Sequence, residues 1–326
     1  MMYLQIAIGF MLLLGGAEFL VRGAVSMARR LGISPLVIGM VVVGFGTSAP
    51  ELVVTLDAAM SGATGIAVGN IVGSNIANIL LILGVSGLLI PIASDPALIR
   101  RDGIILAGAT TLFVILCLFG VIGIVEGAIL TILLFAFLGY SFWRERANKD
   151  PAAQAHIHEA EEVETITDSL WLSALVTLGG LGCVVFGADQ LVEGGTTLAR
   201  SLGVADEVIG LTMIAVGTSL PELATAIVAA YRRHADVVLG NVLGSNIFNM
   251  MGVIGPVALI TPLPVPDQIL RFDLWVMEAS TLALLILLAT RRSFGRVVAG
   301  SFVSLYLAYI VVQFYGVAPI LDALFG

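Results

Sequence analysis

The chain has 326 residues, 59% of them hydrophobic and only 12% charged, against roughly 25% charged in ordinary soluble domains. Apolar runs of about 20 residues recur along its whole length, each long enough to cross a hydrocarbon core as a helix, and the alternating segments of about 10 residues that build a membrane β-barrel are absent. Half of the formal net charge of −8 sits in one central loop, so it says little about partners; no nucleic-acid or protein partner is implied, and the apolar runs imply a lipid bilayer.

The runs predict ten spans: about 3–28, 34–60, 66–91, 103–120 and 122–143, then 170–198, 205–231, 237–261, 273–290 and 297–315. The first lacks a basic n-region and a small-residue cleavage site, so it is read as a spanning helix and not a signal peptide. Cys117 and Cys183 both lie in apolar runs and read as small hydrophobes. Arg144–Asp168 is polar and acidic (Glu159, Glu161, Glu162, Glu164, Asp168) and reads as a linker too short to be a domain. The organisation is therefore 1–143, a linker at 144–168, and 169–326.

The halves repeat. Aligning residue i with i+171 from Ala17 to Asn78, without a gap, gives 26 identities in 62 positions, which is an internal duplication. Five spans per copy is an odd number, so the second copy enters the membrane inverted, the plan of secondary transporters. The duplicated core covers about 34–91 and 205–261. Positive charge sets the orientation. With the N-terminus outside, the cytoplasmic ends hold Arg29, Arg30, Arg100, Arg101, Arg144, Arg146, Lys149, Arg232, Arg233, Arg291, Arg292 and Arg296, and the outer ends only Arg200 and Arg271. The reading is an all-α polytopic membrane protein of two inverted five-helix repeats, with both termini outside and the linker cytoplasmic.

The chemistry lies in Gly46-Thr47-Ser48-Ala49-Pro50-Glu51, which returns as Gly217-Thr218-Ser219-Leu220-Pro221-Glu222. Glu51 and Glu222 fall near mid-span, where an ionisable group is expensive and faces protein, water or a cation. Pro50 and Pro221 lack an N–H, so each removes a helical partner from the carbonyl four residues earlier. Carbonyls, hydroxyls and carboxylate together make an all-oxygen environment, which suits hard cations such as Ca²⁺ and Na⁺ and not zinc or copper. Gly69-Asn70-Ile71-Val72-Gly73-Ser74-Asn75-Ile76-Ala77-Asn78 recurs as Gly240-Asn241-Val242-Leu243-Gly244-Ser245-Asn246-Ile247-Phe248-Asn249. Ser74 and Asn78 share one helix face, as do Ser245 and Asn249, and offer neutral oxygens. Gly69/Gly73 and Gly240/Gly244 are GxxxG pairs that let helices approach. Asn70, Asn75, Asn241 and Asn246 read equally well as interhelical hydrogen-bond glue.

These paired motifs resemble the two α-repeats of the cation/Ca²⁺ exchanger superfamily, specifically the prokaryotic sodium/calcium exchangers, and the resemblance covers essentially the whole chain. It implies a ten-helix fold whose second, third, seventh and eighth helices surround the ions, with the first and sixth sliding past them to alternate access. It implies Glu51 and Glu222 as central Ca²⁺ ligands. Thr47, Ser48, Thr218 and Ser219 would add hydroxyls or carbonyls, Ser74 and Ser245 would line flanking Na⁺ sites, and Asn78 and Asn249 would complete the middle. The carbonyls of Gly44 and Ala215 would also contribute. Some relatives carry Asp where this chain has Asn249. With amides at both Asn78 and Asn249 the site holds two carboxylates, which favours K⁺-independent exchange.

Other charges carry less. Glu18 and Arg22 are spaced to pair on the first helix, with Asp189 and Glu193 as their repeat mates. Asp57, Glu126 and Glu278 read as membrane-edge groups. His156 and His158 form a lone HxH in the acidic loop. The expectation is a secondary antiporter of a prokaryotic plasma membrane, exchanging several Na⁺ for one Ca²⁺, electrogenic and without a cofactor. A Ca²⁺/H⁺ antiporter on the same scaffold is the nearest alternative. The chain has no HExxH or GxSxG motif for an intramembrane hydrolase, and its inverted repeats argue against a passive channel.

Overall fold

In lipid, a spanning backbone must satisfy its own N–H and C=O groups, and the apolar runs accordingly form helices. The structure, a computed structural model, describes residues 2–32, 35–92, 96–147, 169–201, 215–289 and 294–315. Its helices are α1 (Met2–Leu31), α2 (Gly39–Thr47, preceded by the turn Pro35–Ile38), α3 (Ala49–Met60), α4 (Thr64–Leu89), α5 (Pro96–Cys117) and α6 (Ile124–Ala147). In the second half they are α7 (Leu170–Ser201), α8 (Ala215–Thr218), α9 (Leu220–Tyr231), α10 (Ala235–Ile260), α11 (Ile269–Ala289) and α12 (Arg296–Tyr315). Among the described residues seven helices are long and apolar enough to cross a membrane, and α2–α3, bent by 44°, makes an eighth. The apolar stretches Gly103–Cys117 and Leu220–Tyr231 are shorter. Helix α6 runs through Ala147, into the expected linker. The remainder of that linker, with His156 and His158, lies outside the described residues, as do 205–214 of the expected seventh span and Arg291 and Arg292.

Burial ranks the helices. In α10 and α4, 94% and 72% of the most apolar window is inside the protein, against 17–39% in the other long helices. The two helices that carry the serine and asparagine pairs are thus the centre, and the rest present residues such as Phe10, Ile132, Phe135 and Ile286 outward. Gly244 of α10 meets the backbone of α2 at Met40, so closely that a Cβ there has no room. A Cβ on Gly44 would stand 3.0 Å from the Ser245 amide nitrogen. The expected close approach at Gly244 is present. A Cβ on Gly73, its repeat mate, meets nothing within 4 Å among the described residues, and Leu211, the mate of Met40, lies outside them.

A second small-residue seam joins α1 to α7. These helices run antiparallel, with Gly9 against Gly187 and Leu191, Gly16 against Gly180 and Val184, and Gly23 against Thr177. Glycine lets two backbones close to a distance at which dispersion alone holds them. A separate apolar cluster, including Leu13, Ala17, Leu20, Val184 and Ala188, packs this pair against Ile38, Val43 and Ala224. The α1–α7 pair therefore contacts the centre largely through this second cluster, while Val21 and Val25 of α1 reach into the main core.

The connections add a little β structure to the all-α expectation. Val121–Ile122 pairs antiparallel with Leu263–Pro264, and Ile92 bridges Phe294. The turns after α3 and α9 are also alike. Ala63 N–H bonds Ala58 C=O and His234 N–H bonds Ala229 C=O, each at 2.8–2.9 Å, a Schellman ending with Gly62 (φ 81°) and Arg233 (φ 61°) in the left-handed region.

Replacing Gly244 by Ala pushes a methyl into the Met40 backbone. It should lower stability by about 1–3 kcal/mol, the usual range for overpacking, while Gly139→Ala, on the exposed face of α6 with nothing within 4 Å, leaves it unchanged. Thermal unfolding in detergent measures both.

Candidate functional site

Each GTSxPE motif breaks its helix. Ser48 (φ −82°, ψ 11°) and Ser219 (φ −88°, ψ 2°) leave the helical region just before the proline of the next helix. Proline is well placed there, because an N–H in the first turn has no partner to lose. The break puts Glu51 in the first turn of α3 and Glu222 in the first turn of α9. Both are 1% exposed.

The carboxylates face each other across the two repeats. Ser48 Oγ donates to Glu222 Oε1 at 2.8 Å, and Thr47 also reaches Glu222. On the other side Thr218 and Ser219 reach Glu51. The Ser219 hydroxyl stands between Glu51 and Ser74 Oγ, 3.5 Å from the latter. Each motif therefore hands its hydroxyls to the glutamate of the other. No Lys, Arg or His pairs with either glutamate among the described residues.

Asparagines hold this arrangement from behind. Asn241 Nδ2 donates to the Glu222 carbonyl at 3.2 Å, and its Oδ1 accepts from Thr47 at 3.3 Å. Asn70 does the same in the other repeat, with Nδ2 on Thr55 Oγ1 at 3.0 Å and Oδ1 accepting from Thr218 at 3.4 Å. Across the α4–α10 contact, Asn78 Nδ2 donates to Asn246 Oδ1 at 2.9 Å and Asn249 Nδ2 to Asn75 Oδ1 at 3.1 Å. Asn78 opens a π-helical turn at Asn78–Ile82, and Asn249 lies in another at Phe248–Ile254, a local widening common at functional sites. Phe45 and Phe248 stack beside the site, with ring centroids 4.6 Å apart.

Glu51 Oε2, Glu222 Oε2, Asn78 Oδ1 and Asn249 Oδ1 are buried with no hydrogen-bond partner among the described residues. Buried polar groups are almost always paired, and these four are two repeat-related couples of acceptors. Two carry charge and two are neutral. That donor set fits a hard cation. Among the described residues no group of three or more His, Cys, Asp or Glu converges.

The expected ligands divide as follows. Glu51, Glu222, Thr47, Thr218, Ser48, Ser219, Asn78 and Asn249 come together. Ser74 joins through Ser219, and Ser245 donates to the Gly44 carbonyl at 3.1 Å. The Gly44 carbonyl also accepts from Ser48 N–H at 3.2 Å and from Thr47 Oγ1 at 3.3 Å. Ala215 opens α8, and its surroundings lie outside the described residues. Asn70, Asn75, Asn241 and Asn246, left open as glue by the sequence, are hydrogen-bond partners of the expected ligands. The signal was their recurrence at fixed distances before the serine and asparagine of each repeat.

The remaining charges lie elsewhere. Glu18 and Arg22 pair at 3.6 Å, and Arg232, from the turn after α9, joins Glu18. In that turn burial, followed by the Arg29 and Arg232 charges, lowers the His234 pKa below its ordinary value, so it stays neutral at pH 7. Glu126 receives Gly123 N–H at 2.9 Å at the start of α6, an edge position as expected. Glu278 lies near the middle of α11 by residue count, past Arg271 and Asp273 in its first turns. It accepts from Thr111 at 2.7 Å.

Comparison with known proteins places this geometry. The family described as sodium/calcium exchanger protein matches residues 1–143 and 172–315. The chain is 38% identical over 284 residues to the putative antiporter CaxA of Alkalimonas amylolytica, covering 86% of this chain and 88% of that one. It is 33% identical over 344 residues to the sodium/calcium exchanger MaX1 of Methanosarcina acetivorans, covering 96% and 98%. Its fold superposes on the sodium-calcium exchanger NCX_Mj soaked with 10 mM Na⁺ and 10 mM Sr²⁺ with a TM-score of 0.82, at 31% identity over 95% of this chain and 97% of that one.

A cation that binds the folded protein alone stabilises it by RT ln(1 + [L]/Kd), about 2.7 kcal/mol at 100 times Kd. Ca²⁺ should therefore raise the unfolding temperature of the native protein. In Glu51→Gln or Glu222→Gln that rise should vanish, while the cation-free protein is as stable as before or more so, since a buried charge has been removed. A differential scanning measurement with and without Ca²⁺ checks both halves.

Proposed function

The chain belongs to the sodium/calcium exchanger family, and on that premise we propose that it exchanges Na⁺ for Ca²⁺ across the plasma membrane of a prokaryote by alternating access. The reading rests most on the four partnerless oxygens of Glu51, Glu222, Asn78 and Asn249, two from each repeat. Around them Thr47, Ser48, Thr218, Ser219, Ser74 and Ser245, with the carbonyls of Gly44 and Ala215, complete the ligand set.

The coupling follows from charge. Two carboxylates give the site a formal −2. One Ca²⁺ neutralises it, and so do Na⁺ ions, but the same oxygens cannot serve both at once. An empty or half-filled site carries exposed charge into a low-dielectric interior, where it is several kcal/mol unfavourable, so only filled states cross. The hydroxyls at Ser74 and Ser245 supply places for more Na⁺ than charge balance alone requires. More than two Na⁺ per Ca²⁺ makes exchange electrogenic, each net charge being worth about 2.3 kcal/mol per 100 mV. With no third carboxylate there is nothing to recruit K⁺.

The moving part in this reading is the α1–α7 pair, which meets the ligand helices largely through its own apolar interface. Ten spans, in two inverted repeats of 1–143 and 169–326 with both termini outside, give each repeat the same role on opposite sides of the membrane. The antiparallel packing of the repeat mates α1 and α7 supports this arrangement, as does the crossed exchange of hydroxyls between Ser48 and Glu222.

Proteoliposomes loaded with labelled Ca²⁺ test the coupling. Efflux should follow imposed external Na⁺, speed up with a membrane potential of the appropriate sign, and ignore K⁺. Glu51→Gln and Glu222→Gln should each reduce it by at least about a hundredfold, the scale of losing one charged ligand of several kcal/mol. Efflux driven by a pH step with Na⁺ absent would instead mark a Ca²⁺/H⁺ antiporter.

A further inference from the structure

Asn75 and Asn246 touch neither carboxylate, yet both are 1% exposed and lie between the two central helices. We propose that they are positioning residues: each fixes which end of a ligand amide faces the cation, and each acts on the amide of the opposite repeat. Asn75 sets Asn249, and Asn246 sets Asn78. The inference rests on the cation-site reading given above.

A primary amide has two ends of nearly equal size and opposite character. The oxygen ligates a cation, whereas the NH₂ group repels it. Shape does not choose between them, so hydrogen bonds must. Here the choice is anchored by groups that have none, because a backbone carbonyl can only accept. Asn75 Nδ2 lies 3.4 Å from the Asn246 carbonyl, and Asn246 Nδ2 lies 3.4 Å from the Asn75 carbonyl. Asn75 Nδ2 also faces Met277 Sδ at 3.8 Å, again an acceptor. These contacts direct the NH₂ ends of both residues, and their oxygens point the other way.

Those oxygens in turn require donors. Asn249 Nδ2 supplies one at 3.1 Å and Asn78 Nδ2 the other at 2.9 Å. With its NH₂ group so held, each ligand amide leaves its oxygen buried and unpartnered. Turning Asn249 over would oppose two amide oxygens and aim NH₂ at the cation. Turning Asn75 over with it would set an oxygen against the Asn246 carbonyl. The orientation is thus carried from a backbone carbonyl of one repeat, through a side chain of the other, and back.

The same chain of contacts selects what residue 249 can be. Asn75 Oδ1 demands a neutral donor there, which an ionised carboxylate is not. It therefore holds the site at two charges, Glu51 and Glu222.

The test is a pair of double-mutant cycles on the full chain, purified in Na⁺-free detergent, with Ca²⁺ itself as the probe and its Kd read by calorimetry. Outer partners of metal ligands typically change affinity by about 10–100-fold, and Asn75→Leu should weaken Ca²⁺ by that factor. In an Asn249→Ala background, where no amide is left to hold, adding Asn75→Leu should change Kd by less than about twofold, inside the error expected for an uncoupled pair. In an Asn78→Ala background the full factor should return. Asn246→Leu should show the mirror pattern, coupled to Asn78 and not to Asn249. Asn75→Ala and Asn246→Ala replace either leucine variant that does not fold. The Ca²⁺-induced shift in unfolding temperature at millimolar Ca²⁺ replaces calorimetry where binding is weak. An equal factor in all backgrounds, as simple packing produces, overturns the proposal, and so does an unchanged Kd in the single variants. Absence of Ca²⁺ binding by the native protein contradicts the site reading instead.

Discussion

Everything central in this protein answers to one electrostatic difficulty. Two carboxylates, Glu51 and Glu222, are buried beside each other with no basic partner among the described residues. A lone buried ion is unfavourable by several kcal/mol even after relaxation, and two like charges add their repulsion. Hydrogen bonds from Ser48 and from the hydroxyls of the opposite motif offset part of this. They leave one oxygen of each carboxylate unpartnered. In the proposed function a cation relieves the remainder, and a site that needs one is also a site that can exchange one for another.

The scaffold follows from that need. Oxygens can be aimed at a common point only if the helix is interrupted beside them, which Ser48–Pro50 and Ser219–Pro221 accomplish. Interrupted helices must then be supported by close neighbours. Gly244 lets α10 lie directly on α2 at Met40, and glycines along α1 and α7 let that pair close on itself. Amides and hydroxyls interlock at the centre, which meets the α1–α7 pair largely through small and aliphatic side chains such as Ala17, Leu20 and Ala24, with the Glu18–Arg232 pair at one end. A largely apolar interface thus lies beside an interlocked polar one.

Much of this was legible in the residues. Spans follow from apolar run length, which the bilayer dictates. The duplication is written in the 171-residue offset, and the mid-span acids announce themselves by cost. What stayed hidden was direction. Spacing places Asn75 near Asn78 on one helix, but the structure bonds Asn78 to Asn246 instead, a contact 168 residues away that no local periodicity encodes. The same holds for Arg232. Its charge marked a membrane edge, whereas its partner, Glu18, lies 214 residues off. The α1–α7 seam was also missed, because its glycines are spaced for an antiparallel partner that only the fold supplies.

The central claim is that a cation sits between the two repeats, held by one carboxylate and one amide oxygen from each. A crystal structure with Ca²⁺, located by its anomalous scattering, tests this most directly. The account predicts a single strong site with Glu51, Glu222, Asn78 and Asn249 oxygens at about 2.3–2.6 Å, the range for Ca²⁺. An ion bound elsewhere, or one that contacts a single glutamate while the other stays bonded only to protein, would contradict it.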